Sequence, residues 1–248
     1  MRLMLGDCIE EMSRITDESV DLVLTDLPYL NSKNKWDQEV PFDKMWEQVW
    51  RISKPNAACL LFGTEPFSSA LRLSQVKYFK YDWIWHKTGA RNSLNAKKQP
   101  LRASENISVF YRKQPTYNPQ GLKEKEVDNS RPNHVTINPD DMLYNKMTGT
   151  KHISKYTNYP VNIIKESNPN HKSLHPTQKP VKLLEYFIKT YTDPGQLVLD
   201  FTMGSGSTGE AAKNSNRGFV GIEKEKKYFE IAQERLLGQN DDPRNTLA

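Results

Sequence analysis

The sequence predicts an α/β fold built on a mostly parallel sheet, and three observations lead there. Short apolar runs at residues 20–24, 57–62 and 196–200 read as strands buried on both faces. Segments with helical spacing fall between the runs, so strands and helices alternate. The carboxyl-terminal third then repeats the order strand, glycine loop, helix, strand, which is a βαβ unit.

Composition narrows the class. A chain of 248 residues accommodates one compact domain with an insertion. A mean hydropathy of −0.76 and 26% charged residues describe a polar surface, and no apolar run approaches the roughly 20 residues that cross a bilayer. No signal peptide opens the chain, and the expected setting is the cytoplasm, with no membrane partner. Cys8 and Cys59 stand far apart without metal-ligand spacing, so no metal site is expected. A net charge of +5 permits a polyanionic partner without proving one.

Taken in order, residues 1–5 form a short strand ending at Gly6-Asp7-Cys8, followed by helical spacing over residues 9–15. Asp7 suits the N-cap of that helix and, equally, a hydrogen bond to a ligand. The strand of residues 20–24 stops at Thr25-Asp26-Leu27-Pro28-Tyr29, and ligands of open α/β sheets sit beyond the carboxyl ends of the strands. Asp26 and the backbone carbonyl of Leu27, held by Pro28, can both accept hydrogen bonds from an amino group. Tyr29 adds a flat face for a planar substrate. Two acceptors on an aromatic amine would draw its nitrogen toward tetrahedral geometry and free its lone pair. An ordinary strand-to-helix turn would also carry these residues, so their neighbours decide.

After Tyr29 a polar loop carries Lys33, Lys35 and Trp36, suited to closing over nucleic acid. Helices follow at residues 41–53 and 66–74, and strands at 57–62, 81–86 and 106–112. From Arg72 to Lys125 twelve basic residues face three acidic ones, an excess of nine that is greater than the charge of the whole chain. Such clustering is the footprint of a backbone-binding face, with Lys87, Arg91, Asn95, Lys97, Lys98 and Arg102 as its DNA-contact candidates. Residues 115–172 lack helix or strand periodicity yet hold several tyrosines, which reads as a functional insertion. Four parts result: a catalytic part (1–114), the insertion (115–172), a cofactor part of the same domain (173–237) and a tail (238–248).

His175-Pro176-Thr177-Gln178-Lys179-Pro180 leads into an amphipathic helix over residues 181–192. Then come a strand (196–200), a loop (202–206), a helix (207–214), a strand (218–223) and a helix (226–237). Gly204-Ser205-Gly206-Ser207-Thr208-Gly209 satisfies G-x-G-x-x-G, and Glu223 ends the next strand, where a carboxylate can hold ribose hydroxyls. That pattern alone suggests a nicotinamide-dependent oxidoreductase. However, Asp200 places negative charge where a pyrophosphate would lie, which suits a ligand with ammonium or sulfonium groups, such as S-adenosylmethionine.

Asp26-Leu27-Pro28-Tyr29 resembles the D/N/S-P-P-Y motif of the amino DNA methyltransferases, with Leu27 in place of a proline. Asp200-Phe201-Thr202-Met203-Gly204-Ser205-Gly206-Ser207-Thr208 is similar to the D-P-F-x-G-S-G-T-T cofactor loop of their β class; Phe201 replaces the proline and Thr202 the phenylalanine. His175, Thr177, Gln178 and Lys179 resemble the segment that holds the methionine end of the cofactor. Asp7 and Cys8 resemble the loop at its adenine, and Glu223 with Lys224 completes the candidate set. The order, catalytic motif first and cofactor loop last, is that of the β class.

The resemblance implies a Rossmann-like, circularly permuted sheet of seven strands with an inserted target-recognition region. The carboxyl-terminal βαβ would lie at its centre, and residues 1–7 would pair beside residues 218–223. It further implies site-specific transfer of a methyl group from S-adenosylmethionine to a base flipped out of double-stranded DNA. An acidic first position favours adenine N6, with cytosine N4 as the alternative. The resemblance leaves open two further partners, a second copy of the chain, since dimers are frequent in the class, and a cognate restriction enzyme. Two other classes stay open on sequence: the nicotinamide enzyme and a non-catalytic DNA-binding module.

Overall fold

The computed structural model describes residues 1–29, 40–91, 93–128, 153–168 and 178–238. Its strands are β1 (Arg2–Leu5), β2 (Val20–Asp26), β3 (Ser53–Gly63), β4 (Phe79–Arg91), β5 (Arg102–Phe110), β6 (Lys123–Asp128), β7 (Ile153–Thr157), β8 (Ile163–Glu166), β9 (Leu197–Asp200) and β10 (Gly218–Glu223). Its helices are α1 (Cys8–Met12), α2 (Phe42–Ile52), α3 (Phe67–Ser74), α4 (Val181–Tyr191), α5 (Ser207–Asn214) and α6 (Lys226–Leu237). None of the described helices is long and apolar enough to cross a membrane.

The main sheet runs β1-β10-β9-β2-β3-β5-β4-β8. Its first five strands are parallel, β5 is antiparallel to both neighbours, and β8 is parallel to β4. This is the expected Rossmann-like class, with two corrections of detail. Among the described residues the sheet has eight strands rather than seven, because β8 adds to its far edge. The carboxyl-terminal βαβ lies toward the other edge, and β2 and β3 hold the centre. The pairing of residues 1–7 with β10 is as expected: Arg2 lies opposite Val220 and Leu5 opposite Glu223.

Strand periodicity divides the core into two layers. Leu22, Leu24, Leu60 and Phe62 face one side, where Leu184, Phe187, Ala212 and Leu236 from α4, α5 and α6 cover them. Val23, Cys59 and Leu61 face the other, under Met12, Met45, Trp46, Ile52 and Leu71 from α1, α2 and α3. Each fully buried large side chain contributes about 1.5–3 kcal/mol by leaving water. One carboxylate is buried at the amino end of the sheet. Asp21 accepts from Lys54 Nζ at 2.7 Å and from the Leu197 amide at 2.9 Å, so its burial also ties β2 to β9.

Residues 119–161 form a separate compact unit in which β6 pairs with β7, antiparallel. The sequence gives no strand signal there or at β8. The reason is visible at β8, whose Ile163 is 53% exposed: an edge strand with little to bury has no apolar alternation to read.

The arrangement fixes where a ligand belongs. From β2 the chain passes through α2 to β3 on one side; from β9 it passes through α5 to β10 on the other. Adjacent strands with opposite onward connections create a crevice at their carboxyl ends. Asp26 ends β2 and Asp200 ends β9, so both lie at that crevice.

Candidate active site

Parallel register brings the carboxyl ends of β1, β10, β9 and β2 to one edge, and with them Asp7, Glu223, Asp200 and Asp26. Asp7 caps α1, accepting from the Ile9 amide at 3.0 Å, and lies 3.4 Å from Lys224 Nζ. Beside it Cys8 is buried, and burial pushes its thiol up to about 12. Glu223 accepts backbone N–H bonds from Gly204 (2.9 Å) and Glu225 (2.8 Å), one on each oxygen. Burial raises its pKa, and those bonds pull it back.

Asp200 is held from within. Thr25 Oγ1 donates to Oδ1 at 2.6 Å, the Thr202 amide to the same oxygen at 3.2 Å, and Thr208 Oγ1 to Oδ2 at 2.6 Å. Burial lifts its pKa to about 6 against these bonds. The Asp200 carboxylate, expected to meet a cationic group of the ligand, therefore spends its acceptors on fixing the loop. Phe201, expected at the cofactor, is packed into the core at 1% exposure. Gly204 and Gly206 adopt left-handed φ values of 52° and 78°, which only glycine takes without strain, and so turn the chain into α5. Ser207 and Thr208, also cofactor candidates, are buried in its first turn.

At the carboxyl end of β2, a charged network is buried under the Asp26-Leu27-Pro28-Tyr29 turn. Lys179, just ahead of α4, donates to Asp26 Oδ2 at 2.6 Å and to Glu105 Oε1 at 2.7 Å. Lys87 Nζ pairs with Glu105 Oε2 at 2.6 Å and lies 4.5 Å from the Trp85 ring centroid. The Tyr29 hydroxyl bonds Asp26 Oδ1 and reaches Glu105 Oε1 at 2.9 Å, while its ring packs on Phe67 with centroids 5.0 Å apart. The Leu27 side chain is buried in the core.

The electrostatics follow from the partners. Burial alone would raise Glu105, but the ammoniums of Lys179 and Lys87 hold it at about 2. Burial would lower Lys179, yet the two carboxylates raise it. Burial pushes Asp26 up, Lys179 pulls it back, and the Glu105 charge adds to the rise. Tyr29 is raised well above 10 by burial and then by both carboxylates, so its hydroxyl keeps its proton and acts as a donor.

Two expectations are corrected here. Lys179, placed by resemblance at the methionine end of the cofactor, sits on Asp26 instead. Lys87, expected to meet DNA phosphate, is turned inward because the buried Glu105 carboxylate needs a counter-charge. Sequence reasoning gives Glu105 and Thr25 no role in the site. Gln178 does reach the cofactor loop, with Ser205 Oγ donating to it at 3.3 Å. Lys97, Lys98 and Arg102 are exposed around the β4–β5 connection, where Asn95 is half-buried and Leu94 is 98% exposed. Arg91 ends β4 next to them. Lys33, Lys35, Trp36, His175 and Thr177 lie outside the described residues.

The crevice suits S-adenosylmethionine by the chemistry of its donors. With backbone bonds from Gly204, Glu225 and Lys224, the Glu223 carboxylate still keeps an acceptor position for a ribose hydroxyl. The loop of residues 201–206 carries no cation that a phosphate would want.

Comparison with known proteins agrees. Residues 20–234 match the N6/N4 DNA methylase family. The chain is 28% identical over 273 aligned positions to the Type II methyltransferase M2.DpnII of Streptococcus pneumoniae, covering 97% of this chain and 91% of that protein. Among solved structures, the M1.HpyAVI–SAM complex aligns with a TM-score of 0.64 at 24% identity, over 95% of this chain and 98% of that one. The cytosine-N4-specific PvuII DNA methyltransferase aligns with a TM-score of 0.70 at 19% identity, over 98% and 88%. With the permuted order of its motifs, the crevice at β2 and β9 and a family match across most of its length, the chain belongs to the N6/N4 DNA methylases, as an S-adenosylmethionine-dependent amino methyltransferase of the β class.

Proposed function

We propose that the protein methylates adenine N6 at a specific site in double-stranded DNA. The observation that carries the choice of base is Asp26, an acidic first residue of the catalytic turn with the Lys179 ammonium on its second oxygen. Burial and Glu105 raise the pKa of Asp26; Lys179 opposes them and supplies the counter-charge with which an ionised Asp26 accepts a strong hydrogen bond from an exocyclic amine. Where family members act on cytosine N4, this position is more often serine.

The roles follow from the turn. Asp26 and the Leu27 carbonyl accept the two amine hydrogens, and Tyr29 stacks on the extruded base. Bound S-adenosylmethionine supplies an electrophilic methyl group on a sulfonium. Asp7, Gln178 and Glu223 orient that cofactor from the carboxyl edge of the sheet, and the Asp200–Thr208 lock keeps the loop in place. Catalysis is then largely positioning and electrostatics, both set in advance by the fold. Lys97, Lys98 and Arg102 give DNA phosphates a basic landing surface beside the site. The free, buried thiols of Cys8 and Cys59 suit a reducing cytoplasm.

The test is incubation with tritiated S-adenosylmethionine and unmethylated genomic DNA, followed by nucleoside analysis. Label in N6-methyladenine is expected; label in N4-methylcytosine would correct the base and keep the mechanism. Asp26→Ala should bind the cofactor and lose transfer, and unchanged turnover would refute the assignment of Asp26.

A further inference from the structure

The Tyr29 hydroxyl has one proton and two carboxylates within hydrogen-bond reach, Asp26 Oδ1 and Glu105 Oε1. Asp26 Oδ1 carries no ammonium, whereas Oδ2 takes the Lys179 ammonium, so Oδ1 is the stronger acceptor left for an incoming amine. In the base-free protein the tyrosine hydroxyl therefore stands in for the substrate's N–H. Glu105 offers it somewhere else to go without moving the ring.

We propose that Glu105 is a positioning residue, the alternate acceptor that takes the Tyr29 hydroxyl so that Asp26 Oδ1 is open to the base amine. The inference rests on the reading of Asp26 as the amine acceptor. Glu105 is built for this part. It is 4% exposed and anchored by Lys179 at 2.7 Å and Lys87 at 2.6 Å, so its carboxylate stays charged and in place while the tyrosine proton turns. It comes from β5, whose antiparallel course sets Asn106 opposite Gly63 at the carboxyl end of β3 and so brings its neighbour Glu105 to the crevice. The charged and titratable groups facing this pair are Tyr29 after β2, Lys87 on β4, Lys179 before α4 and Asp200 at the end of β9. Two carboxylates and two ammoniums balance in the bonded network, so the tyrosine can change acceptor without leaving an unpaired charge.

The experiment is a double-mutant comparison in single-turnover methyl transfer with saturating cofactor. Glu105→Gln leaves the hydroxyl without an anionic alternative, so it stays on Asp26 and competes with the amine; the rate should fall about tenfold. Adding Tyr29→Phe removes the competitor, and the pair Glu105→Gln/Tyr29→Phe should regain most of that loss. A merely structural Glu105 gives no such recovery. Where Glu105→Gln alone does not fold, the comparison is made in the Lys87→Met background, which removes one ammonium along with one carboxylate. An unchanged rate in Glu105→Gln, or a double variant as slow as or slower than it, overturns the proposal. A wild-type chain that transfers no methyl group to DNA instead removes the reading of Asp26 on which it stands.

Discussion

Thr202 Oγ1 donates to the backbone carbonyl of Asp26 across 2.9 Å, joining the cofactor loop to the catalytic turn over 176 residues of chain. The same hydroxyl lies 2.7 Å from Thr25 Oγ1, which holds Asp200. Where the family usually has phenylalanine, this chain has a polar clasp between its two half-sites. Thr202→Val keeps the shape and deletes the clasp. The methyl-transfer rate should drop about tenfold through lost alignment, with about 1 kcal/mol of stability lost as well. Rapid-quench kinetics and a urea titration measure the two, and an unaltered rate would show that the clasp is only structural.

Asp200 makes stability depend on pH in an unusual direction. Its folded pKa is raised from 3.8 to about 6, so the folded state holds the proton more tightly than the unfolded chain. Its contribution is fully present below about pH 4 and is lost as pH rises to about 6, on the order of 3 kcal/mol at 1.36 kcal/mol per pH unit. Asp200→Asn stays neutral throughout. The Tm of the variant relative to wild type should climb between pH 4 and 6 and then level off. Parallel curves across that window would count against the assignment.

The exposed Lys97 and Lys98 meet DNA phosphate in our reading. Changing both to alanine should raise KM for DNA and flatten its dependence on salt, with the log–log slope falling by roughly two. Measurements between 50 and 200 mM salt, as an order-of-magnitude range, suffice to read the slope. An unchanged slope would place the DNA elsewhere.

Gly209 lies in α5 where a Cβ would stand 2.6 Å from Leu236 Cδ1 and 2.8 Å from Phe219 Cε1. Gly209→Ala should push the helix outward, costing about 1–3 kcal/mol. Because α5 begins at the cofactor loop, S-adenosylmethionine affinity should weaken along with Tm. Calorimetry reads both, and a variant as stable as wild type would show that the helix has room to shift.

Much of this was legible in the sequence because parallel strands share an edge. Once residues 20–24, 196–200 and 218–223 are read as parallel strands, Asp26, Asp200 and Glu223 must gather at their carboxyl ends, and they do. Glu105 was not legible. Its strand begins at Arg102, four residues earlier than the apolar run announces, and only the reversal of β5 carries it to the crevice. The available hint was a lone carboxylate among many cations, just before an apolar strand. Lys87 and Lys179 were misplaced for a related reason: sequence supplies a charge but not its distance to a carboxylate. Thr202, which replaces the family's phenylalanine, has hydrogen-bond partners in Thr25 and Asp26 that sequence alone does not show.

The pairing of β1 with β10 has a consequence for how the protein is born. A ribosome delivers Arg2 and the catalytic turn early, yet the strand at Arg2 finds its neighbour only when Val220 has emerged. Until then the nascent chain has the Asp26–Tyr29 turn without the finished sheet edge beside it. In our reading of the site, methyl transfer therefore waits for β10, and a chain that stops before Val220 should be inactive.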